Sequence, residues 1–280
     1  MQDGAGFNEG AYGLVAGCWE VCVTALLFQT LKGTDSDVNT SPAGFNSTRH
    51  VWALLRIFKE EDHRDAFVEG RIRFNTLGFY RRIERADQTG RADSWEGVGG
   101  WLDHTQVKLT FAGQEIRSEH LTGSIRMYPP GTHGWNVCSF VALHWPNDRR
   151  IPPEELSLVR EQLLLPDSLR SLGEYVAIVA DGTEFLKAVH GELARRGFVG
   201  RDGLVGYVHE STGSRAVDPA RIGFVKRRDA FSYQQEFRVI VERDNPDEEV
   251  LWLELSDLST VAIPTTVDEF NEKMDLRVSE

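Results

Sequence analysis

The chain has 280 residues, 41% hydrophobic and 26% charged, the make-up of a globular protein long enough to bury a substantial core. Its formal net charge is −12, from 43 acidic and 31 basic residues, and a surface of that sign repels nucleic-acid phosphates. Three cysteines, Cys18, Cys22 and Cys138, are too few for a secreted disulfide scaffold and point to a reducing, cytoplasmic setting.

Residues 12–31 are the most apolar N-terminal run. Glu20, Thr24 and Gln29 interrupt it and no basic cluster precedes it, so it makes a poor signal peptide and a poor membrane span. Residues 33–48 read as linker, rich in Ser, Thr, Asn, Asp and Gly. The expected organisation is an N-terminal appendage or linker over 1–48 and a single α+β domain over 49–280.

From residue 50 the pattern becomes regular. A strand is predicted over 51–58, a helix over 59–69 stopped by Gly70, and a second strand over 71–77. Residues 79–96 read as charged and irregular. Short strands follow at 106–111, 115–118 and 123–128, then a turn at Pro129-Pro130-Gly131 and a buried strand over 137–144. Helices are predicted at 154–164 and 183–196, around a central strand at 175–180. Strands at 204–208, 231–241, 251–255 and 260–263 and a short helix at 268–274 complete the chain. Many short strands with few helices predict an α+β fold of mostly antiparallel, split β-sheets with a few flanking helices.

Along the strand predicted from Tyr233 to Val241, side chains alternate. Tyr233, Gln235, Phe237, Val239 and Val241 fall on one side, and Ser232, Gln234, Glu236 and Arg238 on the other. Arg56 stands in an otherwise apolar strand. A guanidinium there needs a carboxylate partner or an anionic ligand such as a phosphate. Asn75 and Thr76 end the second strand, where they would bond a ribose or cap a turn, and Phe79 and Tyr80 follow with ring faces for a planar ligand or for the core. Arg71, Arg73, Arg81, Arg82, Arg85 and Arg91 read as a solvated face neutralised by Glu84, Asp87, Asp93 and Glu96. Cys18 and Cys22 lack a second ligand pair, and the histidines lack metal-ligand spacing, so no metal is expected.

Taken in order, Arg56, then Asn75-Thr76, then Gln234-x-Glu236 resemble the ADP-ribosyltransferase superfamily in its arrangement of Arg, then Ser or Thr, then Gln-x-Glu. The ending Lys226…Phe231-Ser232-Tyr233-Gln234-Gln235-Glu236-Phe237-Arg238 also resembles a group of poorly characterised bacterial and phage-associated proteins. The superfamily's middle motif is usually Ser-Thr-Ser or a Tyr, so either Asn75-Thr76 stand in for it or the true residue lies elsewhere. The resemblance implies NAD as substrate in a cleft between two small sheets. Arg56 would hold its phosphates or adjacent ribose, Asn75 and Thr76 would position it, and Phe79 or Tyr80 would stack near the nicotinamide. Glu236 would stabilise the charge that develops as nicotinamide leaves, and Gln234 would orient the acceptor.

The implied function is transfer of ADP-ribose to a macromolecular acceptor, protein or nucleic acid, as a toxin or phage-defence effector with an antitoxin or regulatory partner. A second reading is a non-catalytic binding or regulatory protein on the same fold, with Arg56 and Glu236 as a structural pair. A metal-dependent nuclease built on Asp87, Asp93 and Glu96 ranks last, because their spacing matches no calcium loop.

Overall fold

A computed structural model describes residues 49–83, 93–121, 123–146, 151–209, 213–256 and 258–276. The expected appendage over 1–48, with Cys18 and Cys22, lies outside the described residues, as do Arg85, Asp87 and Arg91. The chain runs β1 (Arg49–Phe58), α1 (Glu61–Val68), β2 (Arg71–Thr76), α2 (Leu77–Ile83), β3 (Gly100–Leu102), β4 (Leu109–Phe111), β5 (Gln114–Ile116), β6 (Ile125–Met127) and β7 (Asn136–Pro146). It continues with α3 (Leu156–Leu163), β8 (Tyr175–Val179), α4 (Gly182–Arg195), β9 (Gly200–Leu204), β10 (Gly206–Val208), β11 (Arg215–Ala216) and β12 (Val225–Arg227). Last come α5 (Arg228–Phe231), β13 (Glu236–Val241), β14 (Leu251–Glu254), β15 (Ala262–Thr266) and α6 (Val267–Lys273). The architecture is α+β with mostly antiparallel open sheets.

The long strand β7 organises the main sheet. Its C-terminal half pairs with β1, from Leu55↔Val141 to Arg49↔Pro146. Its N-terminal half pairs with β13, from Glu236↔Val141 to Val241↔Asn136. Strand β2 joins it only at Asn75↔Val137 and Thr76↔Asn136. Beyond Leu55, β1 therefore leaves β7 and pairs on through β8 to β15, while β13 pairs on to β9. The sheet is continuous across β7 and β1, and the gap on that edge of β7 lies between β1, whose pairing ends at Val141, and β2, which pairs only at Asn136 and Val137.

Both faces of this sheet are covered, as the near-continuous apolar runs of β1 and β7 require. Leu54, Cys138, Phe140, Ala142, Phe237, Val239 and Val241 face one cluster, which includes Phe67 of α1 and Phe185, Leu186, Val189 and Leu193 of α4. Leu55, Val141, Leu143 and Val176 face a second cluster with α3 and α6, and Val137 and Ile240 face a third with Leu77 and Phe224. Helix α4 starts where Asp181 caps it, accepting from Glu184 N–H at 2.9 Å, and the helical spacing of Phe185, Leu186, Val189 and Leu193 makes its apolar stripe. Gly70 ends α1 with φ +98°, and any Cβ there would lie 2.7 Å from the carbonyl oxygens of Leu255 and Ser256.

The open edges are blunted. Arg196 donates to the outward carbonyl of Trp252 on β14 at 2.7 Å, Arg221 donates to that of Leu204 on β9 at 3.0 Å, and β15 carries Pro264. A smaller assembly, built from the sheet β11–β3–β6 and the parallel pair β10–β12, has its own core of Trp95, Val98, Trp101, Val208 and Val225. Part of it meets β13 through charged groups.

Candidate functional site

The strand predicted over 231–241 begins only at Glu236. Residues 228–231 form α5, Ser232–Gln234 a 3-10 turn, and Gln235 is left-handed at φ +42°. The turn survives because no backbone group is left unpaired: Gln235 O still accepts from Ala142 N–H of the facing strand β7 at 2.8 Å, and Glu236 N–H donates to Tyr207 Oη at 2.9 Å. The expected alternation holds from Glu236 onward and fails before it. Gln234 and Glu236 share a site for a different reason. Lys226 on β12 gathers them, with Nζ 2.8 Å from Glu236 Oε2 and 3.1 Å from Gln234 Oε1.

Around that pair lies a closed ionic network. Arg238 Nε donates to Glu236 Oε1 at 2.7 Å, and its two terminal nitrogens donate to Glu96 at 2.6 and 2.7 Å. Further donations reach Gly223 O at 2.5 Å and Glu236 Oε2 at 3.3 Å. These account for all five guanidinium N–H groups. Arg238 and Glu96 are each 1% exposed and Glu236 4%. Two carboxylates balance two cations, which is what permits burial.

Burial alone would push the Glu236 carboxyl up; Arg238 and Lys226 overcome it and hold it at about 2. Burial would lower Arg238 and Lys226, and the charges of Glu236 and Glu96 raise both instead. Asp93 is the exception. Burial, reinforced by Glu96, pushes its carboxyl up to about 6 against the pull of Lys226, the Trp95 N–H and Arg227. Asp93 and Glu96, read from sequence as solvated or as cation ligands, are internal. Asp93 pairs with Arg227 at 3.2 Å and Glu96 with Arg238.

The seven predicted site residues divide between places. Arg56 shares the sheet face of Leu54. Its guanidinium lies 5.6, 5.7 and 5.6 Å from the ring centres of Phe58, Phe67 and Phe140, donates to Arg73 O at 3.1 Å, and contacts Cys138 Sγ. Glu236 is registered with Val141, on the opposite face. Arg56 and Glu236 are thus neither a pair nor two walls of one cleft. Among the described residues, three aromatic rings, a carbonyl and a thiol surround the Arg56 guanidinium.

Thr76 accepts from Phe79 N–H at 3.1 Å and donates to Glu248 at 3.0 Å. Asn75 donates to Tyr80 Oη at 3.2 Å, and the Phe79 and Tyr80 rings meet edge-on at 5.3 Å. Arg56 and Glu236 thus lie on opposite faces of the sheet, Gln234 joins Glu236 through Lys226, and Asn75, Thr76, Phe79 and Tyr80 are engaged with one another and with Glu248.

Sequence reasoning missed Glu96 and Tyr207 as partners of Glu236 and Arg238. Lys226 had a signal, since it opens the same motif that ends in Arg238. A hydroxyl on the Glu236 face also went unread: Ser139 of β7, half-buried and registered opposite Arg238. No family model, curated protein or solved structure matches the chain. Among the described residues, no helix is long and apolar enough to cross a membrane.

Proposed function

We propose that the chain is a non-catalytic binding or regulatory protein, in which the Gln-x-Glu motif is structural. One observation carries this reading: both oxygens of Glu236 are taken by Arg238 and Lys226 in a buried, charge-balanced network, leaving no face for a substrate. The Glu236 carboxylate fastens the smaller assembly to the main sheet instead of contacting a ligand. Calorimetric titration of the full chain with NAD tests it. The expected trace is flat, and saturable heat that disappears in Glu236→Gln overturns the reading.

A second reading keeps ADP-ribose transfer from NAD to a macromolecular acceptor, in the toxin or phage-defence setting, with an antitoxin or regulatory partner. Two features favour it: the gap on one edge of β7 between β1 and β2, and Ser139 as a hydroxyl on the Glu236 face. Ser139 suits the middle position better than Thr76, whose hydroxyl is already committed. Labelled NAD incubated with a cell lysate decides it: labelling by the wild type and none by Glu236→Gln supports transfer, and equal labelling by both removes it.

A further inference from the structure

Among the described residues, strands β4 and β5 pair only with each other, as a hairpin that stands apart from the main sheet. Its turn is Ala112-Gly113, with φ +51° and +79°, the pair of positive values that a two-residue turn between twisted strands requires. That turn fixes Phe111 at the tip, registered with Gln114. The Phe111 ring is 75% exposed, the most exposed of the large hydrophobic side chains described. A two-stranded hairpin is marginal alone in water, and an aromatic ring held out by a tight turn is a ready anchor for a concave apolar surface.

The chain itself carries such a surface. Between the outer strand β15 and α6 lies a cavity of about 240 Å³. Ile178, Ile263, Pro264, Phe270 and Met274 line it, together with Thr265 and the partly exposed Glu269–Lys273 ion pair. An apolar cavity of about 150 Å³ already admits benzene, so a phenyl ring fits here. Phe111 does not reach the cavity of its own chain. Its arm springs from between β3 and β6 of the smaller assembly, whose ionic contact with the main sheet is at β13, and β15 lies four strands beyond, about 19 Å away. The rim suits the arm. Lys108 and Arg117 stand exposed on it, loosely paired with Glu115 at 3.8 Å and Glu119 at 3.4 Å, and α6 offers Asp268, Glu269 and Glu272 against one lysine.

We infer that the Phe111 arm of one copy docks in the β15–α6 cavity of a second copy, and that reciprocal exchange closes a two-fold dimer. One-way exchange would leave an arm and a cavity open at the two ends, and the two-fold occupies both. Each ring buries about 150–250 Å², well below a standard interface, so the dimer forms reversibly as concentration rises. The inference rests on neither reading of Glu236, so the outcome with NAD leaves it standing.

Sedimentation velocity of the full chain over a wide range of concentration tests it. The wild type is expected to pass from monomer to dimer. Phe111→Ser, which removes the ring from an exposed position, should weaken the dimer about thirtyfold or more. Ile263→Trp, which fills the cavity from its own wall, should do the same. An equimolar mixture of the two variants still holds one free arm and one open cavity, so it should associate more strongly than either variant alone. A wild type that stays monomeric at every concentration overturns the inference and leaves the arm to a different protein. A dimer that survives either variant, or a mixture that recovers nothing, overturns it too. Should Ile263→Trp not fold, Lys273→Trp on the exposed side of the cavity covers it instead, and the same comparison applies.

Discussion

Glu96 and Arg238, 142 residues apart in the chain, form a two-point ion pair at 2.6 and 2.7 Å inside the protein. The pair ties the loop before β3 to the middle of β13. Removing one partner strands the other charge away from water. Glu96→Ala is therefore expected to lower unfolding free energy by about 3–5 kcal/mol in urea titrations. The double variant Glu96→Leu/Arg238→Met, which leaves neither charge behind, should lose less than Glu96→Ala alone.

Tyr207 gives a narrower test of the same region. Its hydroxyl is the acceptor for Glu236 N–H, the bond that lets the strand start after a left-handed Gln235. Tyr207→Phe keeps the ring and removes the acceptor. A buried, unsatisfied N–H should cost about 1–3 kcal/mol, read as a lower urea midpoint with unchanged slope.

Two carboxyls act in opposite directions with pH. Glu236 is held at about 2 in the folded protein, below its ordinary 4.5, so its contribution is present above 4.5 and is lost as pH falls toward 2. Asp93 is raised from 3.8 to about 6. The folded state then prefers the protonated form, so stability declines as pH rises from 3.8 through 6. Asp93→Asn should flatten the pH 4–6 part of the stability profile and leave the acid limb in place, measured by Tm across buffers.

Arg56 is expected to matter for packing alone. Its guanidinium sits among the Phe58, Phe67 and Phe140 rings at the point where β1 parts from β7. Arg56→Ala should cost about 1–2 kcal/mol of stability, since cation–ring contacts and stem packing are both lost. Calorimetry with NAD should be indistinguishable between this variant and the wild type.

Elements with strong local signals were legible in the sequence. The apolar runs of β1, β7 and β8 and the capped, periodic α4 match their predicted positions closely, and the chain is α+β with mostly antiparallel sheets as expected. Strand β9 was not legible, because Gly-Arg-Asp-Gly-Leu has little strand preference and is held by pairing with β13. Helix α2 was hidden among the charges that follow β2. Among candidate site residues, Gln234 and Glu236 do lie together, through Lys226 instead of strand alternation. The burial of Glu96 could not be read locally, because a charged side chain enters a core only when a distant partner awaits it, and Arg238 is far away in sequence.

The claim that Glu236 is a structural ion partner is tested most directly by following its side-chain carboxyl carbon by NMR as pH is lowered. The account predicts no titration down to the pH at which the protein unfolds, in keeping with a value of about 2. A midpoint at or above the ordinary 4.5 would show a carboxylate free of Arg238 and Lys226, and would contradict it.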